Sequence, residues 1–226
     1  MPEKKEMVVG SQYFLPKQEY APDGSKIPYK AMPNPQLQNK APVDPAAIAR
    51  FNRADQLLRE GQHKAARKEF LSITKDFPAL SGPWVRVAEL EISNKSYGKA
   101  FEAYQSAIAA NPDNMKARLD LGMVYRAQGY FAEAQETYLK ALERWPDFAE
   151  AHYNLGVLYD LYVNNPVAAQ KHFQAYYFLT GKTDEKVRKW LVELQRRSGD
   201  ETDYIDQPPE PSSTTTPENP VIADKS

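Results

Sequence analysis

The sequence predicts an all-α fold: about four stacked helical hairpins, one helix closing the C-terminal end, and extended or disordered termini. Three observations lead there. Residues 81–114, 115–148 and 149–182 can be laid over one another at a period of 34 residues. A degenerate copy precedes them at about 47–80. After Gly181, the residues Val187, Trp190, Leu191 and Leu194 form one apolar stripe at helical spacing.

Each element can be justified in chain order. Residues 1–43 hold Pro16, Pro22, Pro28, Pro33, Pro35 and Pro42 with no sustained apolar period, which predicts an extended N-terminal arm. Within the repeat block, 44–182, the first window carries Ala54, Leu57, Ala66 and Phe70 at the repeat's offsets, and Gly61 in its turn. Arg50 and Arg53 replace large residues there, as expected of a terminal unit with one face lacking a neighbour.

The next windows are more regular. Ala88, Gly122 and Gly156 stand at position eight, Ala100 and Ala134 at twenty, Ala107 and Ala141 at twenty-seven. Small residues at these offsets let two helix backbones approach closely. Tyr104 and Tyr138 at position twenty-four fill the space between hairpins, and Pro112 and Pro146 end the second helices. In the fourth unit one extra residue in 162–166 shifts Ala169 and Phe173 onto positions twenty and twenty-four, and puts Tyr176 where Ala is usual. The stripe at 183–197 predicts a capping helix with Thr183 as its N-cap. The segment 198–226, acidic and rich in Pro, Ser and Thr, predicts a disordered tail.

The period and its residues resemble tetratricopeptide repeats. That resemblance implies a right-handed superhelix that presents surfaces to other proteins. It also implies that the first helix of each hairpin lines a concave groove, with positions two, five, six, nine, twelve and thirteen facing inward. The groove would then comprise Phe51, Asp55 and Leu58, Val85, Glu89 and Ile92, Leu119, Met123 and Arg126, and Tyr153, Val157 and Asp160. Position five, at Phe51, Val85, Leu119 and Tyr153, predicts an apolar floor. The pattern by which some such domains clamp a chaperone's C-terminal carboxylate is not met: Asn52 and Lys116 fit it, whereas Ile48, Arg86 and Asp120 do not.

A narrower likeness lies in 80–85, in 145–156, in 158–162 and in the closing 189–197. These strings resemble bacterial envelope tetratricopeptide proteins, many of them periplasmic factors or lipoproteins. The resemblance, over about 44–197, implies a scaffold or adaptor in secretion, pilus, TonB-type or cell-wall machinery, located in the periplasm or envelope. A lipid anchor would require a precursor with a signal and a cysteine, and this chain contains no cysteine. The alternative is a cytoplasmic module of regulatory or co-chaperone-like character that binds extended peptides.

No catalytic, cofactor or metal site is expected. His63, His152 and His172 match no ligand spacing, and are expected to be neutral packing or surface residues. Glycine-rich phosphate loops and nucleophile elbows do not occur. The formal net charge of −1 with no basic stripe argues against nucleic acid. No stretch reaches transmembrane length. The arm, however, carries Tyr13, Phe14, Leu15, Tyr20, Ile27 and Tyr29, more large apolar groups than a spacer needs. They predict an arm that docks, either on the repeats or, as the sequence slightly favours, on a partner protein.

Overall fold

A computed structural model describes residues 13–38 and 42–209. Among them lie ten helices and no strand, only an isolated bridge between Tyr20 and Lys26. After the short α1 (Pro35–Gln38), four hairpins follow: α2 (Pro45–Arg59) with α3 (His63–Asp76), α4 (Ser81–Ser93) with α5 (Tyr97–Ala110), α6 (Met115–Ala127) with α7 (Phe131–Arg144), and α8 (Ala149–Leu161) with α9 (Pro166–Leu179). The last helix, α10 (Glu185–Ser198), packs on α9. The chain is an all-α repeat solenoid.

One aromatic ring per hairpin forms the spine of the core. Phe70, Tyr104, Tyr138 and Phe173 are all buried, each on the second helix of its pair. Removing such a ring from water contributes about 1.5–3 kcal/mol. The space for it comes from the small residue opposite. A Cβ added to Gly122 would lie 2.3 Å from the Tyr138 ring, and one on Gly156 would lie 2.9 Å from the Phe173 ring. Phe173 thus meets Gly156 as Tyr138 meets Gly122, with the extra residue of the fourth unit taken up in the turn.

That turn shows what each hairpin requires. Gly61, Gly129 and, in the second unit, Lys95 have φ of 74, 79 and 57°. The chain reverses through a left-handed residue, which glycine adopts without cost and lysine does not. In the fourth unit Asn164 takes this role at φ 53°. Between hairpins, Asn114 caps α6 by accepting from the Ala117 N–H at 2.9 Å. Its amide also donates to Ser81 Oγ at 2.9 Å, tying consecutive units together.

Three local features differ from the sequence expectations. The N-cap of α10 is Asp184, one residue after Thr183; its carboxylate accepts from the N–H groups of Lys186 and Val187, while the Thr183 hydroxyl turns back to Thr180 O. An aspartate cap adds a negative charge at the positive end of the helix dipole, which a threonine does not. Tyr176, in the place of a small residue, tilts outward to donate to Asp184 at 3.1 Å, with its ring 5.1 Å from Tyr153. The segment expected to be disordered from 198 onward instead runs along α9. Gln170 and Gln174 both donate to Thr202 O, the Tyr204 N–H donates to Gln174, and Ile205 is buried. These contacts satisfy its backbone, so the lack of an apolar period does not prevent docking. Residues 210–226 lie outside the described part.

Candidate protein-binding groove

The first helices form the inner layer, where α6 touches α8 directly across the hairpin boundary. Their inward face carries a ladder of charges in its N-terminal half. Arg86 meets Asp55 at 3.1 Å and Glu89 at 2.9 Å; Lys116 meets Glu89 at 3.5 Å and also pairs with Asp120. Burial pushes the Asp120 carboxyl up despite the ammonium beside it. Each such partly exposed pair is worth about 1 kcal/mol or less. The ladder therefore does little for stability, but it neutralises this half of the groove from within.

The expected apolar floor is largely core. Val85 is buried, and Phe51, Leu119 and Tyr153 are half-buried against the hydrophobic cluster. The Phe51 ring lies 5.3 Å from Phe70 and the Tyr153 ring 5.8 Å from Phe173. At both places position five packs on the second helix of its own hairpin, which closes much of the strip. Leu58 and Ile92 are likewise half-buried, and Val157 is buried. Asp160 is buried too: it accepts from Trp190 Nε1 at 2.8 Å and pairs with Arg197, so it anchors α10 rather than facing solvent.

What remains open lies between the third and fourth hairpins. Met123 is 42% exposed, Tyr162 46% and Leu161 59%. Among them stands Arg126, half-buried, its guanidinium 5.8 Å from the Tyr162 ring centroid. It donates to Asn154 Oδ1 at 3.3 Å, its Nε is buried without a partner, and no carboxylate pairs with it among the described residues. Leu161 and Tyr162 were not among the expected groove residues. Leu161 falls at position thirteen, one of the offsets that the family resemblance turns inward, so the signal was present in the sequence.

The arm takes a different surface. Tyr29 donates to Asp147 at 2.6 Å and sets its ring 4.8 Å from Phe178, edge-on. Burial and the Asp147 charge together raise its phenol well above the usual value. The Met32 N–H also donates to Asp147, and Trp145 Nε1 donates to Met32 O at 2.7 Å. From there residues 19–27 fold into a tight turn, and the Gln18 N–H reaches Ile205 O in the tail at 2.9 Å. Tyr20 donates to Asp206, whose carboxyl is held at about 2 by Lys26 and Tyr20. Tyr13 ends the described arm with its ring 5.6 Å from His172, and Lys171 Nζ lies 4.3 Å over it. Phe14 and Leu15 are half-buried, Phe14 with a left-handed φ of 49°, whereas Ile27 is exposed. The arm docks on the repeats, along α9 and the turn before α8, and not in the groove.

The histidines also separate. His63 is exposed at the start of α3, whereas His152 and His172 are wholly buried with their Nδ1 atoms 2.9 Å apart. Burial depresses both, His152 to about 4. They are packing residues, strongly perturbed rather than ordinary. Among the described residues no helix is long and apolar enough to cross a membrane, and no group of three or more His, Cys, Asp or Glu gathers as metal ligands would.

Comparison with known proteins agrees with this geometry. Residues 88–134 match a family model described as tetratricopeptide repeat, and 122–160 a second one described as TPR repeat. No curated protein matches the chain. Among solved structures, MamA (41-end) from Desulfovibrio magneticus shares 18% identity, with a TM-score of 0.56 over 70% of this chain and 89% of that one. The pilF protein of Pseudomonas aeruginosa shares 19%, with a TM-score of 0.56 over 68% and 69%. A tetratricopeptide repeat protein from Parabacteroides merdae shares 17%, with a TM-score of 0.59 over 69% of this chain and 61% of its own. At these identities the likeness is one of fold. Two repeat models matched inside a solenoid of this architecture show that residues 88–160 are tetratricopeptide repeats.

Proposed function

We propose that this protein is a scaffold whose concave face, at Arg126, holds an extended segment of a partner protein bearing an acidic side chain beside apolar ones. The observation that supports the reading most is the contrast within the groove. Arg86 and Lys116 are neutralised by neighbours, whereas Arg126 is partly desolvated and lacks a carboxylate. A partly buried guanidinium without a counter-charge is a site where an incoming carboxylate gains a charge-assisted bond at little further desolvation cost. Met123, Leu161 and Tyr162 supply the apolar contacts beside it.

The reading is tested with a positional-scanning library of twelve-residue peptides on the full chain. Selection should favour Asp or Glu next to large apolar residues, and Arg126→Gln should weaken the selected peptide by about tenfold or more. Peptides without an acidic residue, or equal binding by the variant, would overturn it.

The place of action we propose is a bacterial envelope complex of the secretion, pilus, TonB-type or cell-wall kind. Its support is the resemblance of 80–85, 145–156 and 189–197 to envelope tetratricopeptide proteins. Fractionation of the source cell tests it: recovery with the periplasm or membranes is expected, and recovery in the cytosol favours the peptide-binding regulatory alternative.

A further inference from the structure

The arm's Tyr13 lies on a buried histidine pair whose hydrogen bonds leave room for one further proton, with no counter-charge beside it among the described residues. The tautomers follow from the partners. His152 Nε2 lies 2.9 Å from Pro146 O, and a carbonyl can only accept, so this nitrogen carries the hydrogen. In the neutral ring His152 Nδ1 is then bare. His172 Nδ1, 2.9 Å away, must donate to it. His172 Nε2 is therefore a lone pair. It is buried and no donor reaches it among the described residues.

The surroundings are hostile to a cation there. From α8 the Tyr159 ring stacks on His172 at 5.5 Å, its hydroxyl taken by Gln135. Lys171, next in the chain, adds a positive charge. The arm contributes Tyr13, and the tail contributes Tyr204, which lies under Lys171 and donates to Asp200. Asp147, in the turn before α8, is the acid that acts on His152, and its two oxygens are already taken by the arm's Tyr29 hydroxyl and Met32 N–H. Among the described residues no carboxylate touches either ring.

We propose that the pair is an acid-operated latch: a proton taken up at Nε2 of His172 displaces Tyr13 and frees the arm from α9 without unfolding the repeats. Protonating His152 Nδ1 would turn two donors toward each other, so Nε2 of His172 is the one position that keeps the inner bond. Of the groups packed on His172, the arm is the least costly to move. Helix α9 is held along its length by α8 and α10, whereas the arm is held by a few hydrogen bonds and ring contacts. Its departure brings water to Nε2, and it also frees the Asp147 carboxylate beside His152 from the Tyr29 hydroxyl and the Met32 N–H.

The sign follows from linkage. A histidine whose closed-state affinity for protons is depressed contributes closure that is complete above its open-state value, near 6.5, and is lost as the pH falls. Below about 6.5 the closed-to-open ratio drops about tenfold per pH unit for one proton, until the depressed closed-state value is reached. The latch is independent of the groove at Arg126. It would govern when residues 13–29, with their five aromatic or aliphatic side chains beyond Tyr13, become available.

Hydrogen exchange on the full chain tests this, with protection factors corrected for the intrinsic pH dependence. Residues 13–29 should be protected at pH 7.5 and lose about tenfold protection at pH 5.5, while α8 and α9 keep theirs. In His172→Asn the side-chain amide can still donate to His152 but takes no proton, so the arm should stay protected at both values. Equal protection of the parent at both values, or the same loss in the variant, overturns the latch. If the variant does not fold, the His172 titration followed by NMR decides: Tyr13→Ala should move it up toward about 6.5, and an unmoved titration overturns the proposal.

Discussion

The first and fourth hairpins carry Arg50 and His152 at the same place in their repeats, and the two residues meet opposite fates. Arg50 lies at an open end. It spreads its guanidinium over Glu69 at 2.8 Å, Asp76 at 2.6 Å and the Ser72 hydroxyl at 2.9 Å, all partly in water. His152 lies in a hairpin that an arm, a tail and a further helix cover, and is itself wholly buried against a second histidine. One offset in a repeat can thus hold a solvated ionic cluster or a desolvated aromatic pair. The choice is made by what covers the unit, since the hairpin geometry is shared. The first hairpin ends the stack by becoming polar, and the fourth ends it by being covered.

Several substitutions would break or sharpen that contrast. The largest effect is expected from Phe173→Ala, which should cost ~3–5 kcal/mol and lower the single unfolding transition as a whole, because arm, tail and α10 unfold with the fourth hairpin. Phe70→Ala removes an equally buried ring. There, thermal melts and hydrogen exchange should show α2 and α3 fraying ahead of the rest, since only one neighbour holds them. A single concerted loss in both variants would erase the distinction between the two ends.

Next in size is Asp160→Ala, at ~1–3 kcal/mol by chemical denaturation. The cost arises from the Trp190 N–H left unpartnered; Arg197 is partly exposed and can find water. No loss of stability would return Asp160 to the groove as a binding residue. Between the two ends, Lys95→Gly should stabilise by ~0.5–1 kcal/mol, because it relieves a left-handed lysine at the position where Gly61 and Gly129 stand. Smallest of all should be Arg50→Met: its partners are solvated and a hydrophobe fills the same volume, so the melting temperature should hardly move. A large drop would mean that the open end is held together by charge after all.

The sequence made the repeats legible because their determinants are local and recur. Gly122 and Tyr138, or Gly156 and Phe173, sit within one 34-residue unit, and a period reveals them even without coordinates. The groove was half legible. The family resemblance implied which offsets face inward, but exposure depends on what packs over them: Val85 and Val157 are buried in the core, and α10 covers Asp160. The docked arm and tail were not legible as such. Tyr29 meets Asp147 across 118 residues, through contacts that follow no period. Proline content predicted an extended arm and aromatic content a docking one, with a partner slightly favoured, but nothing local named the turn at 19–27, the helix α1 or the surface along α9. The depressed histidines were hidden for the same reason, since His172 packs on Tyr13 of the arm and on Tyr159 through contacts that follow no period.

The hydrogen bond from Gln18 to Ile205, with Tyr20 and Lys26 on Asp206, joins the two ends of the described chain beside the same hairpin. This has a mechanical meaning. Tension between whatever precedes residue 13 and whatever follows residue 209 does not pull along the axis of the superhelix. It falls first on the clasp between arm and tail, and the groove keeps its curvature while the clasp holds. Once those few bonds yield, the load passes to the arm's second hold, where Tyr29 and Met32 grip Asp147 and Trp145, and only after that into the first hairpin and out through α10. Strung between two attachment points, the molecule would thus give slack in two steps before its repeats were pulled from end to end.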